Sequence, residues 1–367
     1  MTSSRPRRPV PVLLLGLILV LGLGACGGGG ADTASEESDD SIDEVVTTGE
    51  RSVQVTGAGK VRLGGTLLVP QAATVSPNAK VPGVLFVPAV GSGERNGPII
   101  TGATGLDPLA ADLAKAFGEA GLASYRYDGR GTGESKLEPG TPLSMDDLVA
   151  DARAGIDLLS QRKETAGADL AVVAYDTGGL VALRLAAADP RVKRIVLIST
   201  PGQPLVEVQA GLLSQQFGPE SEAAFRAAVG QLLSTKTLPP VNELRTELRP
   251  LLPSDQIPFL AELYAINPVT DAVKVRARAL VVTPTDPAVV DALSPTRLGQ
   301  ALAGSEVVPV ERVSLTLQVT GPAPSEDPSD PNSPRHDHSA SPPQAKVERD
   351  ASTIGRIAGW LAAKPGP

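Results

Sequence analysis

From Arg51 onward the chain alternates short apolar runs with longer amphipathic stretches. Residues 52–56 and 60–69 read as a β-hairpin with Gly57, Ala58 and Gly59 near its turn. Beyond it, unbroken apolar runs fall at residues 83–87, 123–127, 170–174, 194–198, 279–282 and 313–319, and each predicts a strand. Between them, helical periodicity covers residues 107–120, 145–162, 178–188, 289–303 and 351–362. Strand runs without polar alternation are buried on both faces, as in a parallel sheet covered by helices. The pattern therefore predicts a doubly wound α/β domain with a mostly parallel sheet.

Two stretches interrupt this alternation. Residues 201–266 contain no strand pattern, only helical segments broken by Pro239, Pro240, Pro250, Pro253 and Pro258. A helical insert at that point predicts a cap over the C-terminal edge of the sheet, with Phe217, Phe225 and Tyr264 in its packing or lining a cleft. Residues 320–348 are rich in Pro, Ser and Asp and predict a long loop. The expected division is thus 1–25 leader, 26–50 tether, 51–200 first part of the core, 201–266 cap, and 267–367 second part of the core.

The N-terminus carries a different pattern. Arg5, Arg7 and Arg8 precede an apolar run over residues 10–23, and Leu23-Gly24-Ala25 leads into Cys26. This order reads as a secretory signal, and its last four residues resemble a bacterial lipobox, which implies lipidation of Cys26 and anchoring at the outer face of a membrane. The alternative is a plain transmembrane anchor, but the run is shorter than the ~20 residues a span needs. Cys26 is the only cysteine, so the folded domain has no disulfide, thiolate metal site or cysteine nucleophile. Without the three leader arginines, 30 basic side chains face 41 acidic ones, a net charge of −11. The acidic stretch over residues 32–44 reads as a solvated spacer. No basic face suggests nucleic acid.

Four segments carry a family resemblance. Val84-Leu85-Phe86-Val87, followed by Gly91-Ser92-Gly93-Glu94-Arg95-Asn96-Gly97, resembles an oxyanion-hole strand and loop. The run Tyr125-Arg126-Tyr127-Asp128-Gly129-Arg130-Gly131-Thr132-Gly133-Glu134-Ser135 is similar to a Y-D-x-R-G-x-G-x-S motif. Ala174-Tyr175-Asp176-Thr177-Gly178-Gly179 falls where a nucleophile elbow belongs, and Ala279 to Asp286 resembles the strand that delivers a catalytic acid. Together they resemble bacterial serine-hydrolase-like proteins of the α/β-hydrolase superfamily, related to prolyl oligopeptidase and acyl esterases. The resemblance runs from about residue 52 to 287 and implies an α/β-hydrolase fold with a helical cap insertion.

The same resemblance implies a site. Ala174, Asp176 and Gly178 meet the small-x-nucleophile-x-small spacing of the elbow, yet its centre is aspartate, and the chain contains no G-x-S-x-G. Asp176 is either a nucleophile of the kind that haloalkane dehalogenases and epoxide hydrolases use, or a relic of lost activity. Those enzymes also need leaving-group anchors, whereas here the neighbour is Thr177, the only tryptophan is Trp360, and the insert offers Tyr264. Asp286 is the candidate acid, with helix capping or a turn before Pro287 as the alternative. His336 and His338 are the only histidines and the only candidate bases, with two solvated loop residues as the alternative. An H-x-H metal site there lacks further ligands nearby, and the reading requires neither metal nor cofactor. The N–H groups of Val90, Gly91 and Thr177 are the candidate oxyanion donors. Asp128 and Arg130 are expected to satisfy backbone groups around their turn, and Arg95 and Asn96 to meet a ligand's carboxylate or carbonyl. The expected partners are a small-molecule substrate or ligand in the cap cleft and a membrane, reached through the lipid.

Overall fold

A computed structural model describes residues 49–70, 73, 80–91, 93–98, 108–138, 140–319 and 349–363. Cys26, the leader and tether, His336, His338 and the loop over 320–348 lie outside the described residues. One eight-stranded sheet organises the chain. Its strands are β1 (Gly49–Thr56), β2 (Arg62–Val69), β3 (Gly83–Val87), β6 (Ala123–Tyr127), β7 (Leu170–Tyr175), β8 (Val192–Ile198), β9 (Arg278–Pro284) and β10 (Glu306–Val310). They lie in the order β1-β2-β6-β3-β7-β8-β9-β10; a separate two-stranded ribbon joins β4 (Gly93–Glu94) to β5 (Gly97–Pro98). β1 and β2 form an antiparallel hairpin, β2 meets β6 antiparallel, and from β6 onward every pairing is parallel.

Side chains alternate between two cores because successive residues of a strand point to opposite faces. Leu85, Val172, Ala174, Ile195 and Leu197 enter one core with α2 (Met145–Gln161) and α3 (Gly178–Ala188). Val84, Phe86, Val173, Tyr175, Val196 and Ile198 enter the other with α1 (Leu109–Glu119) and α10 (Ala351–Ala362). Both faces are therefore dry, which explains why these strands read as continuous apolar runs. Arg194, buried on β8, donates to the carbonyls of Leu361 and Ala363 and so caps the C-terminus of α10.

Between β8 and β9 come α4 (Leu205–Phe217), α5 (Pro219–Thr235) and α6 (Ile257–Ala265), with short 3-10 turns before α6. Phe225 and Tyr264 meet edge to face inside this group, with ring centroids 5.8 Å apart, while Phe217 stays 43% exposed. Glu262 on α6 accepts the N–H of Met145, the first residue of α2, at 3.0 Å. Because α2 runs back toward the start of β7, its N-terminus lies at the sheet's C-terminal edge, and α6 sits there with it.

The C-terminal part departs from the sequence pattern at two places. Residues 313–319 form no strand. Arg312 and Leu317 take φ of +56° and +60°, Leu317 N–H turns back onto Ser314 O at 3.0 Å, and only isolated bridges hold Val313 to Val319 and Gln318 to Arg349. The last strand among the described residues is instead β10, an edge strand with alternating burial that tolerates Pro309. The single helix expected over residues 289–303 is two, α8 (Pro287–Leu293) and α9 (Pro295–Ala301), broken at Ser294 with φ +50°. Pro295 disfavours a helical conformation in the residue before it. The short α7 (Pro268–Ala272) precedes β9.

Candidate functional site

The elbow follows directly from the end of β7. Asp176 extends the pairing with β8 by one bond, its N–H donating to Ile198 O at 2.9 Å. Its φ is then +51°, and Thr177 at φ −62° opens α3. A non-glycine residue in this region is uncommon, with Asp and Asn the better tolerated, and such strain gathers at functional turns. Glycine is required next: a Cβ on Gly178 would stand 2.4 Å from Pro88 O. The elbow's backbone and that of the loop after β3 are thus pressed together.

Asp176 is 5% exposed, and its Oδ1 has no hydrogen-bond partner. Burial pushes its carboxyl up to about 7, against a hydrogen bond from the Thr177 N–H. Near neutral pH the group is therefore a mixture of acid and carboxylate, with no cation beside it among the described residues to hold the charged form. The Val90 N–H donates to Thr177 Oγ1 at 3.0 Å, and Val90 and Thr177 are both buried. Two of the three expected oxyanion donors are thus engaged within the turn itself. Gly91, at φ +83°, lies in the same loop and lines a small cavity of about 20 Å³ with Val90, Gly129 and Arg130.

Asp286 stands just beyond β9, exposed, with its carbonyl accepting the Val290 N–H at 2.9 Å in the first turn of α8. One strand, β8, separates the strands that carry Asp176 and Asp286. Two strand spacings place those strand ends roughly 10 Å apart. Ser199 at the end of β8 has φ +49° and donates its hydroxyl to Leu315 O at 2.7 Å. The segment after β10 therefore folds back over β8, between the two carboxyl-bearing strands, and buries Leu315 and Leu317. Nothing in the alternation of residues 313–319 distinguished that turn from a strand. Both candidate histidines lie outside the described residues. Among the described residues, no group of three or more His, Cys, Asp or Glu side chains could hold a metal.

The turn after β6 is held as expected at Asp128, which accepts backbone N–H groups around it, but both Asp128 and Arg130 also take a charged partner. Asp128 takes the Arg95 N–H, Nε and Nη2 at 2.8, 3.1 and 2.6 Å and the Glu134 N–H at 2.8 Å. Arg130 forms a two-pronged pair with Asp151 on α2, Nε–Oδ2 2.8 Å and Nη2–Oδ1 2.6 Å. Arg95 is therefore tied to Asp128 and Glu134, and Asn96 Oδ1 accepts Arg126 Nε at 3.1 Å. These bonds hold the loop in place. Asp151 was missed by sequence reasoning, although a charged residue on the buried stripe of α2 was a signal, since a buried charge needs a partner. Tyr264 also turns inward, its hydroxyl donating to Gln209 Oε1 at 2.6 Å.

Residues 107–264, less than half of the 367, match the family model for serine aminopeptidase, S33. The eight-stranded sheet and its flanking helices are an α/β-hydrolase fold. The match ends before β9 and so leaves out Asp286 and both histidines. Among solved structures, a hypothetical protein from Pseudomonas aeruginosa is 16% identical, with 91% of this chain and 99% of that one covered and a TM-score of 0.54. Est1E from Butyrivibrio proteoclasticus, bound to ferulic acid, is 14% identical, covering 72% of this chain and 91% of its own at a TM-score of 0.50. A dienelactone hydrolase from Anabaena variabilis is 18% identical over 73% and 88% of the two chains, with a TM-score of 0.44. At such identities the likeness is one of fold. No curated protein matches the chain.

Proposed function

We propose that this α/β-hydrolase-fold chain has lost serine-type acyl transfer and works as a lipid-anchored domain that binds a small molecule at the C-terminal edge of its sheet. One observation carries the reading. The residue at the nucleophile position is a buried carboxyl with an unpartnered oxygen, and it stands beside donors already engaged by Thr177 and by the carboxyl itself. Acyl transfer needs N–H groups aimed at a developing oxyanion, and a carboxylate in that place repels one.

A second reading, hydrolysis through Asp176 as nucleophile, is favoured by the retained elbow: φ +51° and the glycine clearance at Gly178. Attack by its carboxylate on an sp³ carbon would form an ester, which water must then cleave. Tyr264 gives that chemistry no leaving-group anchor, since its hydroxyl is bonded to Gln209.

The two readings separate on purified protein. On the binding reading, a fluorophosphonate labels no serine, and wild type and Asp176→Asn are equally inert toward ester, epoxide and haloalkane panels. A hydrolytic rate that rises through pH 7, vanishes in a folded Asp176→Asn and leaves substrate mass on the Asp176 peptide would establish the second reading instead.

The lipid anchor rests on Leu23-Gly24-Ala25-Cys26. Cys26→Ala should move the protein out of the membrane fraction or leave its precursor unprocessed. Wild-type fractionation with a normally cut N-terminus would refute it.

A further inference from the structure

An oxyanion hole on this fold is built from the N–H after the nucleophile and one from the loop that follows β3. Here the candidates are Thr177, with Val90 and Gly91 in the loop, and Val90 is the loop donor that the elbow touches. The Val90 N–H is held by Thr177 Oγ1 at 3.0 Å, with Val90 4% and Thr177 2% exposed, so water scarcely competes for it. Thr177 is β-branched, and its hydroxyl has few places to swing. The loop packs directly on the elbow, with Gly178 against Pro88 O.

We propose that Thr177 closes the oxyanion hole: its hydroxyl stands where a substrate carbonyl oxygen would accept the Val90 N–H. The elbow then rejects ester and amide carbonyls even when a nucleophile is supplied. This rests on the reading of the elbow given above and extends it from the missing serine to the missing donor. Thr177 is in this sense a specificity-determining residue, acting through the Val90 N–H.

The test supplies the nucleophile and varies the lock. Asp176→Ser is compared with Asp176→Ser/Thr177→Ser and Asp176→Ser/Thr177→Ala by the rate of labelling with a fluorophosphonate. In that reaction the introduced hydroxyl attacks phosphorus, the P–F bond breaks, fluoride leaves, and the hydroxyl proton passes to a basic group or to water. Alanine removes the acceptor and empties the place it occupied, whereas serine retains it. One oxyanion donor is worth on the order of 100-fold in rate, so Asp176→Ser/Thr177→Ala should label about 100-fold faster than Asp176→Ser. Asp176→Ser/Thr177→Ser should stay with the single variant. Equal rates across the three, or no labelling in any, would overturn the proposal. Melting curves establish that each variant is folded. Failure of the binding reading shows in the unsubstituted chain as labelling or turnover; failure of this inference shows only among the Asp176→Ser variants.

Discussion

Two strands of this sheet end in the same dipeptide, and the two aspartates meet opposite fates. Tyr127-Asp128 closes β6 and Tyr175-Asp176 closes β7, with β3 between them. Both carboxyls are at least 95% buried. Around Asp128, burial pushes the pKa up, but the Arg95 guanidinium and the N–H groups of Arg95 and Glu134 hold it below the usual carboxylate range. Around Asp176 burial meets a single N–H, and the carboxyl climbs to about 7. At this edge the supply of donors, and not closure to water alone, decides the state of a carboxyl. The β6 turn is built to hold a negative charge. The elbow places a side chain on a tight turn and provides almost nothing to hold that charge.

Breaking the well-supplied site should cost the most. Asp128→Ala removes the acceptor of four hydrogen bonds and leaves Arg95 with Glu134, whose side chain is 57% exposed. Removing one partner of a buried ion pair costs about 3–5 kcal/mol, and we expect a loss of that size in urea unfolding at pH 7. The sign with pH follows from the lowered pKa. The stability that Asp128 contributes is present above its unfolded value and is lost as pH falls through the lower folded value. The gap between variant and wild type should therefore shrink in acid. A loss under about 1 kcal/mol at pH 7 would mean that Arg95 finds an equal partner elsewhere, and the contrast with Asp176 would fail.

The same contrast marks how far the residues could be read in advance. Apolar runs buried on both faces announced the sheet, and periodicity placed α3 at Gly178–Ala188 and α10 at Ala351–Ala362. These features are local, and local pattern is what a sequence displays. The alternation over residues 313–319 misled because a turn that sends Leu315 to one core and Leu317 to the other looks like a strand. β10 was missed because an edge strand exposes half its residues and carries a proline. At the site, the elbow's position and its aspartate were legible. The lock was not, since the Val90–Thr177 bond joins residues 87 positions apart and depends on how closely two backbones pass. Arg95 and Asn96 read as ligand-facing for the same reason: their partners Asp128 and Arg126 are 33 and 30 positions away.

A smaller effect of opposite sign should come from the poorly supplied carboxyl. A group raised from 3.8 to about 7 binds its proton more tightly in the folded chain than in the unfolded one. The stability it contributes is complete below the unfolded pKa and is lost as pH rises through the folded value near 7. At about 1.4 kcal/mol per unit, that loss reaches roughly 4 kcal/mol at most. Asp176→Asn abolishes the titration and suits φ +51°, since asparagine tolerates the left-handed region. It also brings amide donors into a buried place, and an unsatisfied one costs about 1–3 kcal/mol. Subtracting this, the variant should be more stable than wild type by about 1–3 kcal/mol at pH 8.5, with the advantage gone or reversed near pH 4.5. Urea unfolding of both proteins across that range tests it. A difference that stays flat with pH would mean that Asp176 does not titrate as an isolated buried acid. Some group then solvates it, and the elbow would be as well supplied as the turn after β6.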